Sequence, residues 1–296
     1  MAALQSLRTA LGSLGRNPVL FLGGLAYALV ILPQTATQLA GIPVAPTLLQ
    51  ILTFFVTPFF LAGVIGMAGE ALNGDTSLPT LRRVGKNRYV PLLVANFVEF
   101  VLVLAIAIVG LIVVAISFVL ASTSGAPGPV LAAVVGLVVL VALAISFFIQ
   151  FFPVAIALGD ADAIGGFKES VGLVRRNLLS TLGYSVISLV VTVVTIVPTV
   201  GATLYPVLSN VDQLQEMQQS GMDQAAASQM AAFQLSTTEV VLVSAISLAT
   251  TMLLFTFQQT YATAFYRAHR PRTDDGDSPA ESDVRTSDTG ASANSF

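Results

Sequence analysis

The chain has 296 residues, 55% of them hydrophobic and only 10% charged. Soluble domains carry about 25% charged residues, so this composition excludes a water-soluble globule and points to helices that face lipid. There is no Cys and a single His, His269, which excludes disulfides, cysteine nucleophiles and clustered metal ligands; no cofactor or metal is expected.

Crossing a hydrocarbon core about 30 Å thick takes about 20 apolar residues at about 1.5 Å of helical rise each. In chain order, an amphipathic stretch comes first, with Leu4, Leu7, Leu11 and Leu14 at helical spacing. Six segments long enough to span follow: Pro18–Ala40, Pro46–Glu70, Tyr89–Ala121, Pro129–Leu158, Leu178–Leu208 and Thr238–Arg267. Several exceed the minimum, so tilt is expected. The first is read as a span rather than a cleaved leader, because no small-residue cleavage site follows it and similar segments recur downstream.

Charge placement sets the orientation. Arg8 and Arg16 precede the first span, and Arg82, Arg83, Lys86 and Arg88 lie between the second and third. Lys168, Arg175 and Arg176 lie between the fourth and fifth, and Arg267, Arg270, Arg272 and Arg285 follow the sixth. The connections around Gly41, around Gly125 and from Ser209 to Thr237 hold no Lys or Arg. The positive-inside rule then places both termini and the basic loops in the cytoplasm of a cell-membrane protein. The connection from 209 to 237 reads as short helices over the outer surface. Beyond the spans, 271–296 reads as a disordered cytoplasmic tail, with six acids between Asp274 and Asp288 against Arg285.

The chain also repeats itself. A basic residue followed by Asn stands before three of the spans, as Arg16-Asn17, Lys86-Asn87 and Arg176-Asn177. Asn there is expected to cap the helix that follows. An amphipathic stretch lies upstream of each: the leucines above, then Leu78, Leu81 and Val84, then Ile164, Phe167, Val171 and Val174. Such helices are expected to lie flat at the inner membrane surface, the alternative being a cytoplasmic helix packed on the bundle. The second spans carry Thr57-Pro58-Phe59-Phe60 and Phe152-Pro153-Val154-Ala155, and the sixth span lacks the Pro. The expected fold is therefore an all-α polytopic membrane bundle of six transmembrane helices. Its domain covers 1–270, as three tandem units of interfacial helix plus two-span hairpin over about 1–75, 76–160 and 161–270. The units share one orientation, unlike the inverted repeats of many transporters.

The residues Phe151 to Leu158, Gly166-Phe167-Lys168-Glu169-Ser170 and Val174 to Leu178 carry a resemblance. They are similar to the integral-membrane domains of uncharacterised prokaryotic families, including the membrane domain attached to some glycerophosphodiester phosphodiesterases and stand-alone haloarchaeal proteins. The resemblance is closest over about 150–190. It implies the architecture and no reaction, since no phosphodiesterase domain accompanies these residues.

Candidate site residues follow from polarity in an apolar setting. Glu99 lies inside the third span with Asn96 on the same face; a carboxylate within a bundle points to function, the alternative being headgroup depth and a partner among the loop arginines. Gln150, Gln258 and Gln259 line a cavity or bond helices to one another, and the second is favoured. Pro33, Pro58, Pro153 and Pro198 are expected to kink or interrupt their helices. Glu70, Asp160 and Asp162 balance neighbouring arginines. Arg16, Arg82, Arg83, Lys86, Arg175 and Arg176 adjoin spans and so fit lipid headgroups rather than nucleic acid. Membrane lipids are thus the expected partners, and no protein partner is indicated. With no Walker A sequence, dinucleotide fingerprint or zinc-protease motif, an enzyme is the third choice. The first is a non-enzymatic protein that organises, binds or moves lipid-like or hydrophobic molecules. The second is a small-solute transporter or channel subunit with Glu99 lining a polar path.

Overall fold

The computed structural model describes residues 2–123, 127–159, 161–209 and 236–270. The expectations for the 209–237 connection, apart from its flanking helix ends, for the 271–296 tail and for Asp160 lie outside the described residues.

The described elements are all helical. They are α1 (Ala2–Arg16), α2 (Val19–Leu39), α3 (Ala45–Ala71), α4 (Leu78–Asn87) and α5 (Tyr89–Thr123), then α6 (Pro127–Ile149), α7 (Phe152–Leu158), α8 (Ala163–Arg176), α9 (Leu178–Ser209) and α10 (Thr237–His269). Six helical segments are long and apolar enough to cross a membrane: 19–39, 45–71, 89–120, 128–158, 178–204 and 237–269. The chain is an all-α, multi-pass membrane protein, and its spans fall within a few residues of the apolar segments read from the sequence.

The segment from 128 to 158 is broken at Pro153, where an interruption was expected. α6 stops at Ile149 and α7 restarts at Phe152 with Pro153 in its first turn, because a proline has no N–H to donate and its ring clashes with the preceding turn. The break is satisfied by neighbours. The Phe151 N–H donates to Ser170 Oγ (3.1 Å), Ser170 Oγ donates to the Phe148 carbonyl (2.9 Å), and Gln150 Nε2 donates to the Phe147 carbonyl (2.9 Å). Pro58, in contrast, sits inside an uninterrupted α3.

Each short helix runs beside the end of a span. α4 packs on α3, α8 on α7, and α1 on α10. The contacts are close because glycines remove the side chain at the crossing. A Cβ on Gly63 would lie 2.7 Å from the Leu81 carbonyl oxygen, and one on Gly85 would lie 2.8 Å from the Phe59 carbonyl oxygen. Small residues serve the same purpose between spans, where lipid offers no hydrophobic drive to associate: Gly24 of α2 abuts Thr256 of α10, 2.0 Å from where its Cβ would stand.

α10 packs on α1, α2, α3, α7 and α9 and holds the centre of the core. Its Tyr261 and Phe265 are fully buried. Phe265 stacks on Phe151 at 5.2 Å and meets Tyr184 of α9 at 4.9 Å, while Tyr184 meets Tyr261 at 4.6 Å. These rings tie the α6–α7 break to α9 and α10. The Tyr261 hydroxyl donates to the Ala3 carbonyl at 3.2 Å, which fastens α1 to the same core.

Candidate functional site

The basic residues gather at one end of the bundle, where α1, α4, α8 and the end of α10 meet the spans, and the site is built there. α1 has three faces. Ala3, Ser6, Ala10, Ser13 and Leu14 are buried. Leu4 and Leu11, at 57% and 52% exposure, form a second stripe, and Gln5, Thr9, Gly12 and Arg16 form an exposed polar third. The leucine repeat is thus not a single packing face: Leu4 and Leu11 point outward, Leu7 is partly buried and Leu14 is buried, while small residues make most of the contact. α8 repeats the pattern 160 positions later. Ala163, Gly166, Ser170, Leu173 and Val174 are buried, Ile164 is exposed, and Lys168, Arg175 and Arg176 are exposed beside it. α4 departs from it, burying Thr80, Leu81 and Gly85.

The asparagines before the spans do not cap them. Asn17 Nδ2 donates to the Ser13 and Gly74 carbonyls at 3.3 and 3.1 Å, and its Oδ1 accepts from Thr76 N–H at 3.2 Å. It staples α1 to the α3–α4 turn. Asn177 Nδ2 bonds back to the Leu173 carbonyl at 3.0 Å, and Asn87 is exposed in the last turn of α4. A side-chain amide donates as well as accepts, and here the carbonyls of a finished helix or turn take its N–H groups.

Arg82, Arg83 and Lys86 share an exposed groove of about 460 Å³ on α4 with Leu78. Arg83 pairs with Glu70, whose other oxygen accepts from Thr80 Oγ1 at 2.5 Å and Thr76 Oγ1 at 3.2 Å. Arg82 and Lys86 have no such partner among the described residues. Arg16, Arg175 and Arg176 are exposed at the last turns of α1 and α8. Asp162 does not balance an arginine; it caps α8, accepting from Gly165 N–H at 2.7 Å. Between α1 and α9 runs an apolar groove of about 590 Å³, lined by Ala3, Leu4, Leu179, Leu182 and Val186.

Inside the bundle the polar residues are dispersed. Gln258 Nε2 donates to Thr192 Oγ1 of α9 at 3.0 Å. Gln150 Oε1 accepts from Ser185 of α9 at 3.2 Å. Both join helices. Gln259 and Asn96 are partly buried. Glu99 is partly buried on the inward stripe of α5, with Leu92, Ala95 and Asn96, and has no hydrogen-bond or ion-pair partner among the described residues. Sequence reasoning missed a polar knot toward the other end, where Gln34 bonds Gln50 and accepts from Thr53 Oγ1 at 3.1 Å; helical spacing within α3 was the available signal.

It also missed a cleft of about 420 Å³ at the basic end. Gln5, Ser6 and Thr9 of α1, Asn73 after α3, and Arg267 and His269 of α10 line it. Arg267 reads in the sequence as one more inner charge, although its spacing from Thr260 and Thr263 places it next to the buried face of α10. Among the described residues no cluster of His, Cys, Asp or Glu could hold a metal ion.

A family model described as a domain of unknown function, DUF7847, matches residues 1–269. No curated protein and no solved structure matches the chain.

Proposed function

The chain belongs to the DUF7847 family, and from that premise, which brings no activity with it, we propose a non-enzymatic membrane protein that binds and organises anionic lipids along its basic end. One observation carries this reading: α1 and α8 bury matching positions against the bundle while leaving Leu4 and Leu11 of α1 and Ile164 of α8 exposed on helices that also expose cations. That pairing suits a helix at the headgroup boundary, with chains meeting the apolar stripe and phosphates meeting the cations. The apolar groove between α1 and α9 begins at Leu179, just after Arg175 and Arg176. Arg16 and the Arg82–Lys86 groove extend the basic surface. In this reading both termini face the cytoplasm and the basic end meets the inner leaflet of the cell membrane. In this reading the three units cover about 1–75, 76–160 and 161–270, each short helix packing on the last span of another unit. The matched burial of α1 and α8 supports the repeat.

The test is native mass spectrometry of the full chain. Neutralising Arg82, Lys86, Arg175 and Arg176 together to Gln is expected to strip co-purifying anionic phospholipid while leaving thermal unfolding unchanged. An unchanged lipid complement refutes the proposal.

A small-solute path is the second reading, favoured by the unpartnered Glu99 on the inward stripe of α5. An ionisable group within a span is costly unless it serves a path or finds a partner. Here Glu99→Gln abolishes cation or proton flux into proteoliposomes at unchanged folding. Equal flux in both proteins removes this reading.

A further inference from the structure

We propose that the cleft between α1, the α3–α4 turn and the end of α10 binds a single phosphate group, with the Arg267 guanidinium as its anchor. The cleft lies apart from the α4 groove and the α8 arginines, so it does not rest on the lipid reading above. Arg267 is placed by packing. Its Nη2 lies 3.3 Å from where a Cβ on Gly69 would stand, so the guanidinium rests against a bare stretch of α3 backbone. It has no carboxylate or hydrogen-bond partner among the described residues.

Glu70 and Glu169 are engaged elsewhere, and Asp75 is exposed on the α3–α4 turn. Glu70 holds Thr76, Thr80 and Arg83. Glu169 takes the Tyr266 hydroxyl and lies 3.6 Å from Arg270. Among the described residues no carboxylate lines the cleft. An unopposed guanidinium offers a fork of donors that matches two oxygens of a tetrahedral anion.

The other lining groups suit the same ligand. Ser6 is 3% exposed, and its hydroxyl is buried without a hydrogen-bond partner. An orphan hydroxyl in a core is costly, and a bound oxyanion would relieve it. His269 stacks on Phe265 at 4.2 Å, and its Nδ1 lies 2.9 Å from the Phe265 carbonyl. A carbonyl can only accept, so Nδ1 carries the proton. That leaves Nε2 to accept from a phosphate hydroxyl. Gln5 and Asn73 add amide donors. The phosphate is either that of a lipid headgroup or a free ion, since the chemistry of recognition is shared.

Two arms separate these sources. The full chain in maltoside micelles, which carry no phosphate, is titrated calorimetrically with inorganic phosphate. The same protein is assayed for retention of added phosphatidic acid by native mass spectrometry. Loss of hydrogen bonds to a charged group weakens binding on the order of tenfold to a hundredfold. Arg267→Gln is expected to weaken one ligand or both by this factor, Arg267→Lys less, and Leu143→Ala, exposed on α6 away from the cleft, not at all. Inorganic phosphate binding lost in R267Q identifies a soluble anion. Phosphatidic acid retention lost without any inorganic phosphate binding identifies a headgroup. Ser6→Ala keeps the proposal testable should R267Q not fold: it is expected to weaken the ligand while leaving thermal unfolding in ligand-free protein equal or higher. Equal affinities in wild type, R267Q and S6A, or no binding of either ligand, overturn it. Because the cations neutralised to test the lipid reading lie on α4 and α8 and not in this cleft, failure here is distinguishable from failure of that reading.

Discussion

The α5–α6 hairpin and the α2–α3–α10 core make an instructive contrast. The spans of the hairpin have mean hydropathies of 3.2 and 3.0, against 1.8, 2.1 and 2.2 for the three core helices. In a water-soluble protein the more apolar helices would be the more buried. Here, among the described side chains, α5 buries Leu92, Ala95 and Gly110 alone, and Leu111, Val119, Leu140 and Leu143 are among its and α6's exposed side chains. The core helices instead meet through Gly23, Gly24, Ala28, Thr256 and Thr260. Lipid tails are as apolar as leucine, so large apolar groups gain nothing by leaving them, whereas small residues gain close contact. Between these two regions the higher hydropathy marks the side that faces lipid, although α9, at 2.1, is exposed as well.

That contrast can be broken by substitution, with thermal unfolding in detergent as the readout. Phe265→Ala empties the ring cluster with Phe151 and Tyr184, and truncating a fully buried aromatic costs about 3–5 kcal/mol. A small shift in Tm would show that the rings only fill space. Ser170→Ala strands the Phe148 carbonyl and the Phe151 N–H at the helix break, for a loss of about 1–3 kcal/mol; no loss would mean that water serves the break equally well. Leu143→Ala, 65% exposed on α6, is expected to stay within about 0.5 kcal/mol of wild type. A cost equal to that of Phe265→Ala would reveal a protein surface covering α6.

The spans were legible because length and apolar content alone decide what crosses a bilayer. The short helices were legible as helices but not in their facing. Leu4, Leu7, Leu11 and Leu14 dominate the amphipathic pattern, yet Leu4 and Leu11 face outward and most of the packing is done by Ala3, Ser6, Ala10 and Ser13, which hydrophobicity undervalues. The break before α7 follows from Pro153, while the intact α3 around Pro58 shows that a proline alone does not decide. What satisfies the break, Ser170, is 19 positions from Phe151, and no local pattern exposes such a pairing. Asn17 failed as a cap for the same reason: its partners, Gly74 and Thr76, come from another helix turn. Of the candidate site, the cations on α4 and α8 could be read from sequence. The Arg267 cleft could not, since three separate segments line it.

The contact between α1 and α10 has a consequence for biogenesis. The hydrogen bond from Tyr261 to Ala3 joins residues 258 positions apart. A ribosome delivers α1 and α2 first and α10 last. Until α10 enters the bilayer, the small-residue faces of α1 and α2 lack a main partner, and both helices wait among lipids or with an insertion chaperone. Assembly of the bundle is therefore a post-insertion event gated by its final span. A chain cut short before Thr237 would present quality-control proteases with that same unmated surface.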